Sequence, residues 1–196
     1  MLSDALDSRV ISLSKSEMEE LPSISRVKRN VVIEGKPLSA EHILRFAESR
    51  SIVILNTVER AQKMFNDIRS GLAGKGLEIP VMLLHSRFFK NDRREKEDCL
   101  SKQFGKGCYN PSILVATQVV EAGLDISCEH LHTEVCPVNS LVQRAGRCAR
   151  YPGESGVVHV YDLPEAERAW LPYGDMKSEE PAFSRTKTLL SGITTT

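Results

Sequence analysis

Short apolar stretches recur along this chain with helical patterns between them, and that alternation leaves it few folds. Ser51–Leu55 and Ser112–Ala116 are apolar without a break for charge. A run with no polar alternation marks a strand buried on both faces, as in a parallel sheet. Ile79–Leu84, Leu131–Val135 and Gly156–Tyr161 are of similar length and read as further strands, and Val27–Ile33, interleaved with Lys28 and Arg29, reads as an edge strand. Between them, Ala61, Met64, Phe65, Ile68 and Leu72 fall on one face of a helix over 58–72. Ser39 can cap a shorter helix whose stripe is Ile43, Leu44, Phe46 and Ala47, and a third helix is expected over Lys90–Phe104. Gly35-Lys36-Pro37 is expected to turn. Strands alternating with helices predict an α/β fold, a parallel sheet with helices on both faces. Residues 1–25 read as a tail or linker with a short amphipathic helix around Lys15–Leu21, residues 26–164 as the folded domain, and 165–196 as a polar C-terminal extension with a weak helical segment near Arg185–Leu190.

Charge and composition exclude several roles. The formal net charge is zero, so a general polyanion-coating function is excluded and any nucleic-acid contact must be a local patch. The longest apolar runs are far too short to span a bilayer, and no charged segment followed by an apolar one opens the chain, so a cytoplasmic protein without membrane contact is expected. The five cysteines show no CxxC pair and read as reduced thiols. Cys128, His130, His132 and Cys136 would share a face of an extended strand. A zinc site there is one reading, but structural zinc favours ligands from turns with paired spacing. Buried thiols and hydrogen-bonded histidines are the better reading, and no metal site is expected. Gly71–Gly76 contains a lysine but has neither the spacing nor the following Ser or Thr of a phosphate loop, and reads as a helix end.

In parallel sheets ligands bind beyond the carboxyl ends of the strands. That rule brings together Asn56-Thr57, His85-Ser86-Arg87, Thr117-Gln118 and the turn before Leu141–Arg150. In the last stretch, Arg144, Arg147 and Arg150 recur every third residue beside Gln143, with no acid among them. On a helix such residues line one side, and guanidinium groups fork toward phosphate. The alternative is a solvated basic face. Asn56 and Asp125 read equally as turn or cap residues, and His85 as a packed, hydrogen-bonded histidine.

Thr117-Gln118-Val119-Val120-Glu121-Ala122-Gly123-Leu124-Asp125, followed closely by Gln143-Arg144-Ala145-Gly146-Arg147-Cys148-Ala149-Arg150, resembles motifs V and VI of superfamily 2 helicases. Leu83-Leu84-His85-Ser86-Arg87-Phe88 with Arg93 downstream, and Asn56-Thr57-Val58-Glu59-Arg60-Ala61, are similar to elements of the CRISPR-associated type I effector helicase-nucleases. The resemblance runs from about Val27 to Leu163 and implies the second RecA-like domain of that family. It implies that Arg147 and Arg150 are arginine fingers toward ATP, and that Gln143 touches the nucleotide or the partner's acidic motif. Gly123 and Asp125 would lie beside the ribose and the interdomain cleft, with Arg144 at the nucleotide or the domain interface. Asn56, Thr57, Ser86, Arg87, Arg93 and Thr117 would hold the phosphate backbone of single-stranded DNA. The cofactor implied is ATP with Mg2+, bound mainly by a first RecA-like domain; the partners implied are that domain, a nuclease domain and an RNA-guided CRISPR surveillance complex, in antiviral defence. The sequence contains no GxxxxGK[ST] loop, no DExH or DEAD box and no His-Asp dipeptide. The chain is therefore expected to be a fragment or a separately made half, inactive alone in ATP hydrolysis and DNA cleavage. Another superfamily 2 DNA or RNA helicase domain, or a non-enzymatic interaction module, are the competing readings.

Overall fold

In the computed structural model, which describes residues 16, 27–87, 98–165, 171–173, 183, 186 and 188–189, six strands form one sheet. They are β1 (Lys28–Pro37), β2 (Arg50–Ile54), β3 (Val81–Leu84), β4 (Ser112–Ala116), β5 (His130–Glu134) and β6 (Ser155–Asp162). Their order is β1-β6-β5-β2-β4-β3, and every neighbouring pair is parallel. The central strands β2 and β4 are buried along their whole length, as their unbroken apolar sequences require. The edge strand β1 is mostly exposed. It does not stop at Gly35: the chain remains in the sheet to Pro37, and the expected turn is an irregularity in the register between Ile33 and Pro37, with Gly35 at φ +61°. That left-handed backbone is readily adopted by glycine.

Side chains alternate across each strand, so the sheet carries two cores. Val53, Leu55, Ile113 and Val115 pack on one face against α1 (Ala40–Ile43) and α2 (Val58–Gly74). Ile52, Ile54, Leu114, Ala116, Leu131 and Val158 pack on the other against Leu100 and Phe104 of α3 (residues 98–104) and Leu141 of α4 (Val138–Ala145). Thr57 caps α2, its hydroxyl accepting from the Arg60 N–H at 3.3 Å, and Ala61, Met64, Ile68 and Leu72 form its buried stripe. Gly71 and Gly74 lie inside this helix, and the break comes at Gly76 with φ +66°. The Ser39 helix is shorter than its stripe suggests: four residues of α1 pass into a 3-10 turn over Leu44–Phe46. The start of the helix expected over Lys90–Phe104, with Arg93, lies outside the described residues, as do the tail up to residue 25 apart from Ser16 and most of the C-terminal extension. No helix among the described residues is long and apolar enough to cross a membrane.

The four-residue cysteine–histidine pattern is divided between the faces. Cys128 and Cys136 belong to the core with Leu131 and Val135. The His130 and His132 rings lie against Phe46, and His132 stacks on His159 with centroids 4.6 Å apart. Strand alternation holds only within β5, and both cysteines fall outside it. Among the described residues no group of three or more His, Cys, Asp or Glu side chains is placed to hold a metal ion. All five cysteines are free, and burial pushes the Cys136 thiol up to about 11.

Candidate nucleotide and nucleic-acid interface

The carboxyl ends of β2, β3 and β4 are in register, with Ala116 opposite both Ile54 and Leu84. The residues that follow therefore meet on one edge, as the topology predicts. The Thr117 N–H donates to the Leu84 carbonyl, and the Gln118 side-chain amide donates to the Asn56 carbonyl at 2.8 Å. Asn56 is buried and used at both ends of its amide: Nδ2 donates to the Val135 carbonyl at 3.0 Å, and Oδ1 accepts from Arg144 at 3.0 Å. Its backbone N–H donates to the buried Glu134 carboxylate, which also pairs with Arg60 of α2 at 2.8 Å.

Arg144 is the hub of this edge. Its guanidinium is fully buried and donates to Asn56, to Thr133 Oγ1 at 2.8 Å, to Glu121 at 2.9 Å and to the Tyr173 hydroxyl at 2.8 Å. Burial pulls its pKa down, and Cys136, Tyr173 and Glu121 around it more than offset that, so the net shift is upward. A charge this far from water persists because every direction of its fork finds an acceptor. From the sequence both residues are expected to face ligands, Arg144 a nucleotide and Asn56 a phosphate backbone; in this structure each instead spends its side-chain polar atoms inside the domain. Thr117 is also buried, and the Thr57 hydroxyl accepts as the α2 cap, a bond that does not use its own proton. Ser86 and Arg87 are the exposed members of the set among the described residues. His85 is buried, with Nδ1 accepting from the Arg87 N–H at 3.3 Å.

The arginine stretch is not one helical stripe. Helix α4 ends at Ala145 and Gly146 closes it, its N–H donating to the Val142 carbonyl. Of Gln143, Arg144, Arg147 and Arg150 only the first two are helical; Gln143 is exposed and Arg144 points inward. Arg147, beyond the helix, turns back on the segment that follows Thr117. Its guanidinium donates to the carbonyls of Val120, Glu121 and Leu124 at 2.7–2.8 Å, and the residue is only 7% exposed. Burial first, and then the neighbouring Arg150 charge, lower its pKa. Arg147, expected as a free finger, is in this structure a clamp on the 120–124 loop.

Arg150 alone of the three faces outward. Its Nε donates to Asp125 at 2.6 Å, and both side chains are solvent-exposed, at 37% and 72%. The hydrogen bond from Arg150 is the main cause of the depressed Asp125 pKa. Gly123, in the loop that carries Asp125, sits at φ +82° with open space around it, so the loop's conformation explains the glycine. The Arg150 end and the carboxyl edge are well separated. Arg147 and Ala149 bond the main chain of Cys128 before β5, whereas Asn56 bonds Val135 after it. At about 3.3 Å per residue that is roughly 20 Å along the strand. The segment from Thr117 to Asp125 joins the two.

Several residues that build this region carry no sequence signal. Arg29 of β1 donates to the carbonyls of Cys148 and Ala149, about a hundred and twenty positions away. The Ser127 hydroxyl accepts from the Arg150 N–H, and Glu154 accepts from Ser127. Ala149 has φ +46°, a conformation costing a non-glycine residue about 1 kcal/mol or more.

A RecA-like sheet, with a motif V segment clamped onto the arginine stretch that follows α4, defines the second half of a superfamily 2 helicase core. More particularly, the chain belongs to the family described as CRISPR-associated nuclease/helicase Cas3, C-terminal, whose model matches residues 47–153. It is 40% identical over 107 residues to the CRISPR-associated endonuclease/helicase Cas3 of Escherichia coli K12, covering 54% of this chain and 12% of that protein. The T. fusca Cas3-ATP crystal structure matches with TM-score 0.68 at 26% identity, over 98% of this chain and 23% of that one. A chain of a CRISPR RNA-guided surveillance complex, pre-nicking, matches with TM-score 0.67 at 30% identity, over 86% of this chain and 23% of that one. The chain thus spans about an eighth of the length of the curated E. coli relative.

Proposed function

We propose that this chain is the nucleic-acid-binding and arginine-finger half of an ATP-dependent single-stranded DNA helicase or translocase in type I CRISPR interference, working with a first RecA-like domain. The observation that carries the reading is the state of Arg150: within one arginine motif it is the guanidinium left at the surface, tethered to a still more exposed carboxylate. A finger must leave its resting partner for a phosphate at little cost, and exposed ion pairs are worth only about 0–1 kcal/mol. Gln143, exposed on α4, is the second group of this chain offered to the nucleotide. ATP with Mg2+, held mainly by the first domain, would supply the phosphoanhydride. This chain's own task is to bring Arg150 to the charge that develops there. Asp125 holds Arg150 between turnovers, and Arg147 keeps the loop carrying Asp125 in shape.

Ser86 and Arg87, with Thr57 and the main chain at Thr117 and with Arg93 from the sequence, would hold the DNA backbone at the carboxyl edge without reading bases. The likeness to T. fusca Cas3-ATP supports the nucleotide, and the likeness to the surveillance complex supports the RNA-guided partner. The reading is tested by combining the chain with a first RecA-like domain and measuring DNA-stimulated ATP hydrolysis. Activity is expected only in the combination, and Arg150→Ala is expected to lower turnover about a thousandfold. Unchanged turnover in that variant would sink the finger assignment.

A further inference from the structure

We infer that Glu154, Ser127 and Arg29 are positioning residues that hold the main chain under Arg150 and so fix where its guanidinium points. The inference rests on the finger reading of Arg150 for its functional half, but its mechanical half stands on geometry alone.

The main chain at 148–151 is tied at consecutive residues by groups that come from elsewhere in the fold. Arg29, on the edge strand, forks onto the carbonyls of Cys148 at 2.5 Å and Ala149 at 3.1 Å. The Ala149 N–H donates to the Cys128 carbonyl at 3.0 Å. The Arg150 N–H donates to Ser127 Oγ at 3.0 Å, and that hydroxyl in turn donates to Glu154 Oε2 at 2.5 Å. The same carboxylate oxygen accepts the Tyr151 N–H at 3.0 Å. Its other oxygen faces the buried Arg50 guanidinium at 3.4 Å. The Tyr151 hydroxyl closes the ring by donating to the Asp125 carbonyl at 3.0 Å.

Each tie has a consequence for the finger. Ala149 is in the left-handed region at φ +46° without being glycine. A residue stays in so unfavourable a conformation only where its surroundings over-determine it. Arg29 does that from one side and Ser127 from the other. The Ser127 hydroxyl has one proton, and giving it to Glu154 leaves its lone pairs for the Arg150 N–H. Glu154 therefore sets Ser127 as well as holding Tyr151 directly. Its reach back onto Tyr151 depends on the 151–154 turn, where the Glu154 N–H donates to the Tyr151 carbonyl and Gly153 takes φ +90°. With the main chain fixed on both sides, the Arg150 side chain leaves from one place in one direction, and Asp125 holds its far end. Pre-organised geometry of this kind is worth much of a finger's effect, since a displacement of about 1 Å can cost about a hundredfold in rate.

The test uses Ser127→Ala and Glu154→Gln, with Arg29→Lys as the mild variant that keeps charge but can serve one carbonyl at a time. In the 196-residue chain, amide exchange at Arg150 and Tyr151 is expected to speed up roughly three- to tenfold in the first two variants, the equivalent of one lost hydrogen bond, with amides of β2 and β4 unaffected. In the combination with a first RecA-like domain, both variants are expected to lower kcat about tenfold or more while KM for ATP stays within about twofold, with Arg29→Lys between them and wild type. In an Arg150→Ala background the same substitutions are expected to cost less than about twofold, because a residue acting through another loses its effect when that other is gone. Unchanged exchange at Arg150 and Tyr151 overturns the positioning role whatever the turnover. A kcat loss that persists in full without the Arg150 side chain also overturns it, since the residues would then act elsewhere. Failure of the finger reading looks different: Arg150→Ala itself would keep normal turnover, which overturns the functional half, while accelerated exchange would still establish the mechanical half.

Discussion

Arg144 and Arg150 belong to one short motif and have opposite physical situations. Arg144 is fully buried and spends its fork on Asn56, Thr133, Glu121 and Tyr173. Arg150 is open to solvent and holds one exposed carboxylate. The first is a structural member of the strand ends; the second is free to change partner. Arg147 lies between them in sequence and in character, buried but bonded only to main-chain carbonyls of the loop that links the two regions. The motif thus divides its arginines: one ties α4 to the carboxyl edge, one fixes the loop, and one stays at the surface in a single exposed ion pair. Because Glu121 meets Arg144 through its side chain and Arg147 through its carbonyl, a shift at either end of the 117–125 segment is felt at the other.

The contrast can be broken by substitutions with opposite signatures. The largest effect is expected at Arg150. Arg150→Lys keeps the charge but loses the planar fork and should reduce DNA-stimulated turnover about a hundredfold, with the melting temperature unchanged. A large loss of stability in that variant would erase the distinction from Arg144. Next comes Arg144→Met, which leaves the buried Asn56 and the partly buried Glu121 without their partner and should cost about 3 kcal/mol of stability in denaturant titration. A change below about 1 kcal/mol would make Arg144 a surface-like residue after all. At the carboxyl edge, Arg87→Ala should weaken single-stranded DNA binding and lower the slope of log affinity against log salt by about 0.7, the share of one phosphate contact. An unaltered slope would remove Arg87 from the backbone-binding set.

A smaller effect is expected from the histidine stack, on the opposite face of the sheet from Arg144. Burial holds His132 well below its ordinary value of 6.5, and burial with the neighbouring His159 lowers His130. A group whose folded pKa is depressed is protonated more readily in the unfolded chain. Its contribution is therefore present above about pH 6.5 and is lost as the pH falls below it. Melting at pH 7.5 and 5.5 should show a lower midpoint at the acid pH, and His132→Phe should flatten the difference. Equal pH sensitivity in the variant would assign it to other groups.

The sheet was legible because its signal is local: continuous apolar runs such as Ile52–Ile54 and Ile113–Ala116 need no knowledge of their neighbours to be read as doubly buried. The carboxyl-edge set followed from topology, and Asn56, Thr57, Ser86, Arg87 and Thr117 do converge there. The arginine stripe did not follow, because its period of three presumed a helix that Gly146 ends after Ala145. Which arginine turns inward depends on Thr133, Asn56 and Tyr173, whose positions no local pattern carries.

By itself, then, the sequence determined the alternating architecture, the strand ends on which polar groups gather, and the kinship carried by its two motifs. Burial of apolar faces and the period of side chains along the backbone act over a few residues, and a reader of the chain can apply them directly. Only the tertiary structure decided that Arg144 and Asn56 are interior, that Arg147 is a clamp, that Arg150 remains exposed, and that Arg29, Ser127 and Glu154 stand beneath it. Those assignments depend on which acceptors lie within about 3 Å of each donor. Partners separated by more than a hundred residues are brought to that distance only when the sheet has formed.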